Sequence, residues 1–118
     1  MKIRELKALL SADLLTNDDS LLDGEVFNAC CSDMMSDVLA FVKDQGVLLT
    51  SLVNEQVIRT ASMMDMVCVV FVRNKKPTPD MIRLAEECDI VVMTSAYRAY
   101  EACGKLYTSG LVARCAGE

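Results

Sequence analysis

The run Val67-Cys68-Val69-Val70-Phe71-Val72 has no polar side chain to turn toward water. Successive residues of a strand point to opposite faces, so a strand of this composition must be covered on both sides. A central strand of a parallel sheet, with helices above and below it, meets that demand.

The surrounding sequence repeats the same unit, a short apolar strand followed by a capped amphipathic helix. Val26 to Cys31 reads as the first such strand, and Ser32 or Asp33 can cap a helix carrying Met34, Val38, Phe41 and Val42 on its inner face. Gly46 is expected to stop that helix before the strand Val47-Leu48-Leu49-Thr50. Asn54 then caps a helix with Val57, Ile58, Ala61 and Met64 facing inward. After the central run, Thr78 as cap and Pro79 at the first helical position open a helix lined by Met81, Leu84, Ala85 and Cys88. Ile90-Val91-Val92-Met93 is the last of these strands. Thr94 or Ser95 is read as the cap of a closing helix bearing Tyr97, Tyr100, Cys103 and Leu106 or Tyr107. Upstream, Ile3, Leu6, Leu9 and Leu10 mark a helix over about residues 2 to 11. Asp13-Leu14-Leu15-Thr16 offers a short edge strand, and a turn-rich acidic loop follows through Glu25.

Strands alternating with helices of this length imply right-handed crossovers. The fold class expected is α/β: a three-layer α/β/α sandwich with a mostly parallel sheet of about four to five strands. At 118 residues the chain has room for one core, so 1–118 is read as a single domain.

Charge restricts the partners. Lys plus Arg number 12 against 17 Asp plus Glu, a formal net charge of -5 that repels phosphate backbones and anionic headgroups. Neither nucleic acid nor a membrane surface is expected as a partner. The N-terminal residues show helical spacing in place of a signal-peptide apolar block, and no run nears the roughly 20 apolar residues of a membrane span. A cytoplasmic location with reduced thiols follows as an expectation.

In a parallel sheet, ligands gather where the strands end and the next helices begin. The candidate binding residues at that rim are Ser32, Thr50, Ser51, Asn54, Arg73, Asn74, Thr94 and Ser95, with Asp33, Lys75 and Tyr97 beside them. Hydroxyls, amide groups and a cation could hold a small anion there. The same residue types serve as helix caps with no ligand present.

Catalytic equipment is sparse. With no histidine in the chain, Ser-His and Cys-His couples cannot be built. The glycines at 24, 46, 104, 110 and 117 spell neither nucleotide-binding cradle. The six cysteines stand at 30, 31, 68, 88, 103 and 115, without the C-x-x-C spacing of a metal or thioredoxin-like site. Neither a metal nor a cofactor is implied. Cys30 or Cys31 could be a strand-end nucleophile, but Asp33 and Asp37 would raise its pKa, and no Arg stands where a phosphatase loop needs one. The alternative is that these thiols act as small apolar side chains. The methionine pairs at 34–35 and 63–64 cannot both face inward, so one of each should lie outside, where it suits a homodimer or another protein contact.

Three stretches together resemble a DRTGG domain: Leu48-Leu49-Thr50-Ser51-Leu52-Val53-Asn54-Glu55-Gln56-Val57-Ile58, Cys68-Val69-Val70-Phe71-Val72, and Pro77-Thr78-Pro79 through Ile90-Val91-Val92-Met93-Thr94. The opening helix and the Asp13-Leu14-Leu15-Thr16 segment are similar to the start of that domain and of the related amino-terminal domain of HPr kinase/phosphorylase. Where the family has Gly-Asp-Arg this chain has Val53-Asn54-Glu55, and where it has Thr-Gly-Gly this chain has Val72-Arg73-Asn74. The resemblance implies a non-catalytic regulatory domain that dimerises or docks on a separate enzyme or kinase. The reading set beside it is a small-ligand sensor, for a nucleotide or anion, at the strand ends; a cysteine-dependent enzyme is a third.

Overall fold

The computed structural model describes residues 1–41 and 46–111. Its elements are α1 (Ile3–Leu9), β1 (Asp13–Leu14), a 3-10 turn (Asp19–Asp23), β2 (Asn28–Cys31), α2 (Met35–Phe41), β3 (Gly46–Thr50), α3 (Glu55–Met63), β4 (Cys68–Phe71), α4 (Pro79–Glu87), β5 (Val91–Thr94) and α5 (Ala99–Thr108). Val42, the side chain of Phe41 and the tail bearing Cys115 lie outside what is described.

One sheet runs in the order β1-β5-β4-β3-β2. The four longer strands are parallel, and β1 pairs antiparallel on the outer side of β5, with Asp13 opposite Thr94. The expected α/β class and mostly parallel sheet are therefore borne out, and β4 is central as its composition demands. Alternation along β4 divides the core. Cys68 and Val70 join α1 and α5 on one face, while Val69 and Phe71 join α2, α3 and α4 on the other. Consecutive right-handed crossovers marching in one direction across a sheet place their helices on one face. That explains why α2, α3 and α4 lie together and leave the opposite face to the first and last helices.

Helix boundaries follow from caps that the sequence reveals unequally. Thr78 accepts the Met81 N–H at 3.3 Å with Pro79 behind it, as read from the sequence. Asn54 occupies the N-cap of α3, but its side chain makes no capping bond. The N-cap of α5 is Arg98, not Thr94 or Ser95, because those two side chains are buried and bonded elsewhere. At the other end, α1, α3, α4 and α5 each close with one residue at positive φ: Ser11, Asp65, Asp89 and Gly110. The residue after it donates back into the helix, as from Met66 N–H to Ala61 O and Ile90 N–H to Ala85 O, both 2.9 Å. Three of these four termini use a residue other than glycine, which hides them from a search for glycine stops.

The structure corrects four further expectations. Gly46 is the first residue of β3, not a helix stop, and the first parallel strand begins at Asn28, not Val26. Tyr100 and Tyr107 face outward, leaving Ala102 and Leu106 as the buried face of α5. Met34, expected on the inner face of α2, precedes that helix and is exposed, and Met35 is buried in its stead; with Met63 exposed and Met64 half-buried, the methionine pairs do split between core and surface.

Glycine at 46 is required by its neighbour across the ladder. A Cβ there would overlap Asn28 Oδ1 and come within 3.3 Å of the Asn28 carbonyl oxygen, against a buried residue on the strand it pairs with. Gly46→Ala should lower unfolding stability by about 1–3 kcal/mol, as overpacking typically does, read out by urea denaturation. A change near zero would mean that β2 gives way at no cost.

Candidate functional site

The carboxyl ends of the parallel strands bring the predicted polar residues into two groups. At the end of β2 and β3, Asp33 is the hub. Its Oδ1 accepts from Thr50 Oγ1 and from the Ser51 N–H, and its Oδ2 accepts from Ser51 Oγ, all at 2.7 Å. Parallel pairing sets Cys31 opposite Leu49, so continuing the register by two residues carries Asp33 to Ser51. Ser32 turns the other way and accepts the Met34 N–H at 3.0 Å. The hydrogen bonds from Ser51 and Thr50 favour the charged carboxylate and lower the Asp33 pKa, against a smaller opposing effect of burial.

At the end of β4 and β5 the groups are likewise occupied. Thr94 Oγ1 donates to the Lys75 carbonyl at 2.7 Å, and Ser95 Oγ donates to the Leu10 carbonyl at 2.8 Å. The second bond fastens the end of α1 to the sheet. Arg73 and Asn74 both sit at positive φ, near 59° and 58°. That turn lets their N–H groups donate to the carbonyls of Tyr97 and Ser95 at 2.8 Å, locking two strand-end loops together. The Arg73 and Asn74 side chains are exposed, as are Lys75 and Lys76, which makes this end of the rim cationic and the Asp33 end anionic.

Sequence reasoning found the rim but read Asp33 as a capping alternative, when it is the acceptor that holds Thr50 and Ser51. Laying the two strands side by side in parallel register is the signal that would have found it. It also missed a cavity of about 140 Å³ between β2, β3 and α5, lined by Cys31, Leu49, Cys103, Leu106, Tyr107 and Leu111 among others. None of the predicted rim residues lines it. The Cys31 and Cys103 thiols both line this cavity, and each perturbs the other's titration. Interaction with Cys103, burial, and repulsion from Asp33 push the Cys31 pKa strongly upward, while the same interaction holds Cys103 down to about 7. These influences favour the protonated form of Cys31. Cys68 is fully buried, and desolvation raises its pKa too, as befits a core side chain. Among the described residues, no cluster of three or more His, Cys, Asp or Glu could hold a metal ion, and no helix is long and apolar enough to cross a membrane.

This architecture has a counterpart among solved structures. The crystal structure of the CBS and DRTGG domains of the regulatory region of Clostridium perfringens pyrophosphatase, complexed with the activator diadenosine tetraphosphate, matches with a TM-score of 0.73 at 14% identity. The match covers 92% of this chain and 46% of that one, so this chain spans about half the length of that regulatory region. No family model and no curated protein matches the chain. The class the fold defines is a three-layer α/β domain. Its fold is similar to that found in the CBS and DRTGG regulatory region, the family that the Leu48–Ile58 and Pro77–Thr94 stretches resemble.

The Asp33 geometry makes a prediction about acid. A carboxyl whose folded pKa is lowered contributes stability that is fully present above its unfolded value of 3.8 and is lost as pH falls through the folded value. Asp33→Asn should therefore reduce stability at neutral pH and abolish this component of the loss below about pH 4, measured by denaturation across pH. Parallel pH profiles for the two proteins would show that Asp33 contributes nothing there.

Proposed function

We propose that this chain is a non-catalytic regulatory domain that works by binding, through association with a second copy of itself. The observation that carries this reading is the self-contained rim: Asp33, Thr50 and Ser51 are bonded to one another, and Thr94 and Ser95 to backbone carbonyls, so these groups serve the fold and are not poised for bond-making. The likeness to a regulatory region of an enzyme supports the same reading. The contact is assigned to β2. Among the described residues that strand lies at the sheet edge, and its residues Asn28-Ala29-Cys30-Cys31 include none of the charges or prolines that commonly guard an edge. Phe27 before it is 52% exposed and Met34 after it 60%. Two such edges meeting across a two-fold axis would extend the sheet, with each copy offering the same patch. Docking on a separate enzyme or kinase would use the same edge by strand addition.

A second reading is favoured by one specific observation, the nucleotide activator bound to the neighbouring structure. In it the strand ends sense a nucleotide or small anion, with Arg73 and Asn74 at the cationic end and Ser32, Thr50, Ser51, Asn54, Thr94 and Ser95 along the rest of the rim.

Light scattering over a concentration series tests the first reading. The wild type should show the mass of a dimer, and Phe27→Lys with Met34→Lys should give a monomer with an unchanged circular dichroism spectrum. A wild type that stays monomeric throughout rejects self-association. Melting the same samples with diadenosine tetraphosphate reads out the second: a ligand at a hundredfold its Kd adds about 2.7 kcal/mol to the folded state, and Arg73→Ala should remove that gain. An unchanged melting temperature rejects it.

A further inference from the structure

The thiols of Cys31 and Cys103 come from elements far apart in the chain and meet at one place. Cys31 is the last residue of the edge strand β2, and Cys103 lies midway along α5 on the face turned to the sheet. Their side chains meet at one cavity, close enough that each thiol shifts the other's titration. Both line the 140 Å³ cavity under α5, and Cys103 also lines a wider open groove of about 570 Å³ along the outer side of that helix, with Tyr100, Lys105 and Tyr107. Cys31 is exposed and Cys103 half-buried, so a small reagent can reach the pair from solvent.

We propose that Cys31 and Cys103 form a reversible dithiol–disulfide couple, a redox site that takes a low-molecular-weight disulfide as its oxidant and covalently clamps α5 to the edge strand. The order of events follows from the two environments. Cys103, whose thiolate is favoured by the neighbouring Cys31 thiol, is the attacking sulfur, because the thiolate is the reactive form and a thiol titrating near neutral pH attacks best. Cys31 keeps its proton, held by Cys103 and by the repulsion of Asp33 and Cys30. Cys103 Sγ attacks one sulfur of the small disulfide, whose S–S bond breaks to release one thiolate and leave a mixed disulfide on Cys103. The released thiolate takes the Cys31 proton. Cys31 Sγ then attacks Cys103 Sγ and expels the second thiolate. Two protein thiols have been oxidised to one disulfide, and one small disulfide has been reduced to a thiol and a thiolate. An external dithiol reverses the sequence.

The clamp would join β2 to α5 and close a long loop of chain, which restricts the unfolded state. It would also draw α5 toward the cavity mouth, beside the strand to which self-association is assigned above. The redox chemistry does not rest on that assignment and can be read on the monomer.

The experiment uses the reduced full chain with oxidised glutathione at pH 7, followed by acid quench, alkylation, intact mass and peptide mapping. The expected product has lost two hydrogens and contains a cross-link between the Cys31 and Cys103 peptides, with a glutathione adduct on Cys103 seen only transiently. In Cys31→Ser that adduct should accumulate and persist. In the wild type, pulse alkylation at pH 7 should label Cys103 faster than Cys30 and Cys88, which are also half-buried. This labelling measurement needs no variant to fold. A persistent glutathione adduct on wild-type Cys103, a cross-link that pairs Cys31 or Cys103 with another cysteine, or labelling of Cys103 no faster than of Cys88 would each overturn the proposal.

Discussion

Strands β3, β4 and β5 are buried on both faces, and this constraint organises the rest of the molecule. Leu48, Leu49, Val69, Val70, Val92 and Met93 are at most 1% exposed, so neither side of the sheet can meet water. Buried backbone N–H and C=O groups must find partners, and here the parallel ladder provides them between neighbouring strands. Parallel pairing in turn requires crossovers, and the crossovers α2, α3 and α4 cover one face. The face they leave open must be closed by the remaining helices, which is why α1 and α5, from opposite ends of the described chain, pack on the same side.

Polar groups at the strand ends serve that closure. Ser95 ties Leu10 at the end of α1 to β5, Arg73 and Asn74 tie the loop after β4 to the loop after β5, and Asp33 ties the loop after β2 to the end of β3. The rim is thus a set of clasps between neighbouring loops. In a sheet whose parallel strands advance in one direction, no crevice opens between diverging helices, and the loops can bond directly to one another. The polar residues that look like a ligand cradle in the sequence are largely used in this way.

How much of this was legible depended on whether a signal was local. The apolar run at Val67–Val72 announced a doubly covered strand, and Thr78 with Pro79 announced a helix start, because side-chain pattern and capping chemistry act within a few residues. Helix ends at Asp65 and Asp89 were not legible as stops, since an aspartate at positive φ looks like any other surface acidic residue. Gly46 misled for the opposite reason: its lack of a side chain serves Asn28 on the paired strand, not a turn. Register was the missing step at the rim, where Asp33 meets Ser51 only once β2 and β3 are laid side by side. The pairing of Cys31 with Cys103 lay further out of reach, because it requires knowing that the last helix returns to the face of the first strand of the parallel set.

Native-state hydrogen exchange tests the doubly buried sheet most directly. Amides of Val69, Val70 and Phe71 should exchange only through global unfolding, with a free energy equal to that from denaturant, while those of the edge residues Asp13 and Leu14 open at lower cost. Exchange of the β4 amides as fast as those of β1 would contradict a central strand covered on both faces, and with it the architecture that turns the rim into clasps.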